Sequence, residues 1–307
     1  MNKNKVILIA FLFMLPVLFF TACTTEKDVK KSVLDKTTID RIKLLEKENN
    51  ITINYCDVPM NDEIDDEYVL SSDAEEIEAA VEAAEAIFSR LPENWAITIS
   101  NPEVIIDESE KIEKIHIVFC ESIEADEDKN GSEYLIKGNF YYTDDNEMYF
   151  LVDIHNYEPE VAISETLIYR MVRKKTIDDE FEIEALGDDG YREQRIQNSI
   201  IRRYISYNPE EFDYYGQVSE IKELDKQVVY GYADNLDNVY FVNKESLYSE
   251  YIDLTQLVSP LLYTDKSDGL PEVYKSIHVK NKALSAVESI NDIFSFRGVE
   301  YLMSWFE

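Results

Sequence analysis

Apolar residues recur with the period of a buried helix face between residues 72 and 91, where they are spaced three to four positions apart. Ser72 and Glu75 match a capping box at the start of this segment, and Pro92 follows its end. The opposite face is rich in glutamate, so the pattern predicts a surface helix packed on a core. The predicted core face consists of Ile77, Ala80, Val81, Ala84, Ile87, Phe88 and Leu91.

Several shorter apolar segments, bounded by polar turns, predict β-strands. These segments are residues 51–55, 115–119, 133–142, 148–154, 227–232 and 239–242. Polar turns join the third segment to the fourth and the fifth to the sixth. The sequence therefore predicts two β-hairpins, the first of them at residues 133–154.

Residues 160–175 predict a buried amphipathic helix in the middle of the chain, with cations in its last turns, where the helix dipole favours them. The acidic, glycine-containing residues that follow, 176–190, predict a loop. Further helices are predicted at residues 191–204, 248–258 and 274–294, and the second of these should end before Pro260. A helix, then strands, then helices, without an internal repeat, predict a single α+β domain at residues 61–307 with a mixed or antiparallel sheet.

The N-terminal residues have the pattern of a targeting segment, with Lys3 and Lys5 before an apolar run that ends at Phe20. Thr21-Ala22-Cys23 then resembles the lipobox of bacterial lipoproteins, a family in which the cysteine receives a diacylglycerol and the preceding peptide is removed. The resemblance implies a signal peptide at residues 1–22 and a lipidated Cys23 with a polar tether at residues 23–60. It also implies anchoring at the extracellular face of the cell membrane in a Gram-positive bacterium. A plain secretory signal or a short membrane anchor is the alternative.

The charge of the chain narrows the possible partners. Among 307 residues, 63 are acidic and 30 are basic, which gives a formal net charge of −33. Such a surface repels the phosphates of nucleic acids, so no nucleic-acid partner is expected. An acidic surface can bind cations or cationic ligands, or it can serve solubility alone. Cys56 and Cys120 are the remaining cysteines, and they can pair outside the cell or stay as buried thiols.

The central predicted helix contains Ser164-Glu165-Thr166-Leu167-Ile168. In zinc peptidases the corresponding helix carries His-Glu-x-x-His, in which two imidazoles bind zinc and the glutamate acts as general base. Here serine and isoleucine occupy the two ligand positions. A glutamate in a helix is usually a structural residue, so this motif is informative only together with its flanking segments.

Those flanking segments resemble the zincin-type metallopeptidase-like lipoproteins of Gram-positive bacteria. A hairpin leads into the central helix, Asn208-Pro209 opens an aromatic segment that reaches Tyr214, and Tyr240-Phe241 precedes a helix that begins near Glu250. The resemblance covers roughly residues 72–307. It implies a zincin-like fold in which Ser164, Glu165, Ile168 and Glu250 occupy the positions of the zinc site.

Because the sequence departs from the family motif, we predict that zinc binding and peptidase activity are lost. The chain has only 3 histidines, and none is paired at the spacing of zinc ligands. We therefore expect no metal, no cofactor and no catalytic residue at this site, and a binding module whose degenerate cleft holds a peptide or protein ligand. The alternative is a divergent metal-dependent hydrolase or peptidase in which Glu165 and other carboxylates bind a hard cation.

Residues 126–131 resemble the first half of a calcium-binding loop, with Asp126, Asp128 and Asn130 before Gly131. The twelfth position of that pattern is Lys137, where a bidentate glutamate is needed. An acidic loop is therefore the favoured interpretation.

Overall fold

The computed structural model describes residues 34–56, 67–101, 111–124, 137–143, 145–185, 196, 199–209, 212–214, 236–294 and 299–307. Cys23 with its lipobox, the acidic loop at 126–131 and the predicted strand at 227–232 lie outside these residues. Among the described helices, none is long and apolar enough to cross a membrane.

One mixed, open sheet forms the β layer. Its strands are β1 (Thr52–Asn54), β2 (Glu67–Leu70), β3 (Lys114–Glu124), β4 (Gly138–Tyr142) and β5 (Glu147–Asp153). The order is β1-β3-β5-β4, and β2 also pairs with β3. Strands β1, β3 and β5 are parallel, whereas β2 and β4 run antiparallel to their neighbours. The predicted hairpin at 133–154 is confirmed in its described part, and its first strand, β4, forms one edge of the sheet.

Helices pack on the inner face of this sheet and on each other. They are α1 (Lys36–Asn49), α2 (Ala74–Phe88), α3 (Trp95–Ser100), α4 (Pro159–Ala185), α5 (Ile200–Ile205), α6 (Glu250–Tyr263), α7 (Ile277–Asp292) and α8 (Glu300–Met303). Short 3₁₀ turns lie at Leu236–Asn238, Glu245–Leu247 and Glu272–Lys275. One hydrophobic cluster contains residues from α1 to α8, and the elements have the predicted α+β class with a mixed sheet.

Helix α2 confirms the predicted surface helix but begins with a different cap. The carboxylate of Asp73 accepts hydrogen bonds from the backbone N–H groups of Glu75 and Glu76, so Asp73 and not Ser72 is the N-cap residue. Aspartate and serine cap equally well, and the sequence pattern could not separate two adjacent candidates. The predicted apolar face is buried from Ile77 to Phe88.

The domain begins before residue 61, which corrects the boundary predicted for the tether. Helix α1 buries Ile42 and Leu45 in the main core, and β1 pairs in parallel with β3. The lysine content of the segment is typical of a tether, but Ile42 and Leu45 lie three residues apart on one buried helical face, while Leu44 is exposed. Tertiary packing therefore brings residues 36–54 into the fold.

Two helices are longer than predicted. Helix α4 continues through residues 176–185, where the predicted loop should begin, because Lys174 and Lys175 pair with Asp178 and Asp179 one turn later. Acidic residues that suggested a loop therefore stabilise the helix. Helix α6 passes through Pro260 and ends three residues later, and the burial of α6 in the core offsets the one backbone hydrogen bond that the proline cannot donate.

Candidate functional site

The β4–β5 hairpin leads into α4 and holds the start of β4 close against the middle of that helix. A Cβ atom at Gly138 would lie 2.1 Å from Oγ1 of Thr166, so glycine is required for this close approach. The residue before it, Lys137, is thereby placed beside Glu165, the residue that precedes Thr166 on the helix.

Glu165 is buried and forms an ion pair with Lys137. The Nζ atom of Lys137 lies 3.0 Å from Oε2 of Glu165, and the two side chains are 20% and 4% exposed. Burial raises the pKa of the Glu165 carboxyl, and the Lys137 ammonium opposes that shift. The amide of Gln256 on α6 also favours the charged carboxylate. The structure therefore supplies Glu165 with a cation from the chain itself.

Ser164 and Ile168 lie one turn apart on α4, and both are fully buried. Ile168 belongs to the main hydrophobic core. The hydroxyl of Ser164 makes no hydrogen bond to any described residue. The two positions that the resemblance to zinc peptidases assigns to imidazole ligands are thus packed positions inside the domain.

Glu250 lies far from Ser164 along the α4–α6 pair. Helix α6 runs antiparallel to α4, because Tyr251 stacks under Arg173 at 4.7 Å whereas Gln256 and Tyr263 lie near Glu165. Glu250 is therefore level with Arg173, which is nine residues or roughly 14 Å along the helix from Ser164. The structure brings Ser164, Glu165 and Ile168 onto one helix segment but does not bring Glu250 to them.

Lys137 and Gln256 are the neighbours of Glu165 that sequence reasoning missed. In the sequence, Lys137 belongs only to the calcium-type pattern, as a twelfth residue that is unsuitable because a glutamate is needed there. Gln256 falls inside a predicted helix without any motif. Both contacts join residues far apart in the chain, so no local spacing could have indicated them.

A second buried charge pair joins α6 to α7. Oδ2 of Asp253 accepts hydrogen bonds from Nζ of Lys282 at 2.8 Å and from the hydroxyl of Tyr214 at 3.0 Å. Asn208 donates to the same tyrosine hydroxyl at 3.0 Å. Burial raises the pKa of Asp253 and lowers that of Lys282, and each charge opposes the shift of the other. The Asn-Pro segment is thus fixed to the helices through Tyr214.

Aromatic rings surround the Lys282 ammonium. The Nζ atom lies 4.1 Å from the ring centre of Phe241 and 4.7 Å from that of Tyr204, and it donates to the backbone oxygen of Tyr240 at 3.0 Å. Because the lysine is fully buried and has these partners, this cluster is a structural junction. It positions the Tyr240-Phe241 segment against α7.

The histidines lie in three separate places. His116 on β3 is 3.0 Å from the side-chain amide of Asn54, His155 is 2.6 Å from Glu76, and His278 stacks on Tyr240. Within the described part of the chain, no group of three or more His, Cys, Asp and Glu side chains is arranged to hold a metal ion. Cys56 and Cys120 are not disulfide-bonded to each other.

Comparisons with known proteins provide no relative for this chain: no family model, no curated protein and no solved structure matches it.

Proposed function

We propose that this chain is a lipid-anchored, non-catalytic binding protein at the outer face of a bacterial membrane, with a zincin-like domain. The observation that carries the non-catalytic part is the ion pair between Lys137 and Glu165. A glutamate that activates a metal-bound water must have its carboxylate available beside that water. Here an ammonium group lies 3.0 Å from the carboxylate.

The surroundings of Glu165 support the same proposal. Ser164 and Ile168 are enclosed in the domain, and α6 places the amide of Gln256 beside the carboxylate. A divalent cation would have to displace Lys137, and the described residues offer it no group of three or more His, Cys, Asp and Glu side chains. No observation on the described residues favours the alternative of a carboxylate-dependent hydrolase.

The order of elements supports the zincin-like part of the proposal. Strand β5 leads directly into α4, and the Asn208 and Tyr240 segments pack near the later helices, in the sequence order that the resemblance implies. The anchoring part rests on the Thr21-Ala22-Cys23 motif alone.

Strand β4 is the best candidate surface for a peptide ligand. In the hairpin, the N–H of Thr143 donates to the oxygen of Glu147, and the N–H of Asp153 donates to the oxygen of Lys137. Residue pairs that exchange hydrogen bonds alternate with pairs that do not, and Phe140 belongs to a pair that does not. Its N–H and C=O groups therefore point away from β5. The Phe140 N–H donates to the side chain of Asn139 at 2.8 Å. No described strand pairs with this outer edge. An extended peptide can add to such an edge by displacing the Asn139 contact.

Metal analysis of the full chain, purified in detergent, tests the non-catalytic proposal. We expect less than one-tenth of an equivalent of zinc after dialysis, and no peptidase activity that a chelator removes. The variant Glu165→Gln should give the same background as the wild type in a peptidase assay. One equivalent of tightly held zinc, or chelator-sensitive cleavage that Glu165→Gln abolishes, would overturn the proposal.

A further inference from the structure

Two arginines one turn apart on α4, Arg170 and Arg173, differ from the two lysines that follow them. Lys174 and Lys175 pair with acids at 2.7 and 2.8 Å. Among the described ion pairs, none involves Arg170 or Arg173. Acidic residues outnumber basic ones by 63 to 30 in this chain, so two neighbouring guanidinium groups outside the described ion pairs are an exception.

The guanidinium of Arg170 is buried but only partly satisfied. The residue is 3% exposed, and its Nη2 donates a long hydrogen bond, 3.4 Å, to the backbone oxygen of Ser100. Its Nε has no hydrogen-bond partner among the described residues. The Nε–Nη2 edge is one of the edges with which arginine binds both oxygens of a carboxylate. That edge therefore has unused donor capacity.

Aromatic rings hold both arginines in place. Arg170 lies 5.4 Å from the ring centre of Phe140 and 5.3 Å from that of Tyr142, and Arg173 lies 4.7 Å from that of Tyr251. Stacked guanidinium groups keep their edges free for a ligand while their faces are covered. This arrangement preorganises the donors and lowers the entropy lost on binding.

The electrostatics of the pair favour an added anion. Arg173 contributes to lowering the pKa of Arg170, after the larger effect of burial. Tyr142, which also hydrogen-bonds to the guanidinium, and Asp178, whose Oδ2 atom binds Lys174 as well, act in the opposite direction. An oxyanion between the two guanidinium groups would remove the repulsion and supply the missing acceptor.

We propose that Arg170 and Arg173 form a binding site for a small oxyanion group, a carboxylate or a phosphate. Tyr142 lies over Arg170 and is 45% exposed at the end of β4, so rotation of this side chain gives access to the guanidinium. The site is separate from the Lys137–Glu165 pair and does not depend on the zincin-like fold.

Titration with succinate and with inorganic phosphate, at constant ionic strength with chloride as the balancing anion, tests this site. Binding is measured by calorimetry on the full chain in detergent. We expect saturable binding of at least one of these anions, and the anion that binds identifies the source of the oxyanion. Arg173→Gln, at a partly exposed position, should weaken binding about tenfold, as expected for loss of one charge-assisted donor group.

Two further variants complete the test. Arg170→Lys keeps the charge but removes the planar guanidinium that can donate from two nitrogen atoms. It should also weaken binding, and circular dichroism should show that the protein stays folded. Arg203→Gln is the matched control, because Arg203 is an exposed helical arginine already paired with Glu288 at 3.0 Å. The proposal is overturned if neither anion binds saturably up to tens of millimolar, or if Arg203→Gln weakens binding as much as Arg173→Gln.

Discussion

The ammonium of Lys137 lies 3.0 Å from the carboxylate of Glu165, and the two partners differ in burial. Glu165 is 4% exposed on α4, whereas Lys137 is 20% exposed just before β4. If the lysine is removed, a buried carboxylate stays without its cation. If the glutamate is neutralised, the lysine can still reach solvent.

Lys137→Met should therefore destabilise the protein more than Glu165→Gln. Breaking a buried ion pair from one side costs about 3–5 kcal/mol, and the partial exposure of Lys137 places the loss near the lower end. The free energy of unfolding from urea titration measures both variants. Equal losses, or a larger loss in Glu165→Gln, would contradict the asymmetry. Lys137→Arg keeps the charge and serves as the control.

Phe88→Ala should destabilise the domain by about 3–5 kcal/mol, because it leaves a cavity where α2 meets the core. The side chain is 4% exposed, and its ring lies 4.8 Å from that of Trp95. Leu44→Ala is the control on α1, since Leu44 is 52% exposed and should change stability little. Chemical denaturation checks both variants, and a loss in Phe88→Ala no larger than in Leu44→Ala would show that α2 is peripheral.

The contact between His155 and Glu76 predicts a pH dependence. The Glu76 carboxylate, with smaller effects of Glu121 and Asp153, raises the pKa of His155 above its ordinary value of 6.5. A raised pKa in the folded state means that the contribution to stability is complete below the unfolded-state pKa. It is lost as the pH rises through the higher folded-state pKa.

The thermal stability difference between wild type and His155→Asn should accordingly be largest in mildly acidic solution and disappear at alkaline pH. Glu76→Gln should abolish the same pH-dependent difference, because it removes the main cause of the pKa shift. An NMR titration of the His155 ring gives the pKa directly, and a value at or below 6.5 would refute this assignment.

Cys23→Ala should prevent lipid labelling and release the protein from the membrane fraction. The prediction rests on the resemblance of Thr21-Ala22-Cys23 to a lipobox. Metabolic labelling with a fatty acid and fractionation of cells measure the two effects. Cys56→Ala is the matched control, and it should leave labelling and fractionation unchanged. Full membrane retention of the unlabelled Cys23→Ala protein would argue for a membrane-spanning anchor.

The sequence by itself determined the elements that depend on local pattern. The apolar face of α2, the β4–β5 hairpin and the buried middle of α4 follow from periodicities that are complete within one segment. The α+β class follows from their order. Acidic composition misplaced the end of α4, although Lys174 and Asp178 have the one-turn spacing of a helical ion pair. The start of the domain was misplaced because the burial of Ile42 depends on tertiary packing.

Only the tertiary structure decided which groups surround the Glu165 carboxylate. Its cation comes from Lys137, 28 residues earlier, and its amide neighbour from Gln256, 91 residues later. The direction of α6 along α4 likewise decided that Glu250 lies at the level of Arg173 along the helix and away from Ser164. Motif spacing determines which side chains share a face of one helix. Contacts between elements depend on how the helices pack against each other, and this arrangement is determined by the whole core.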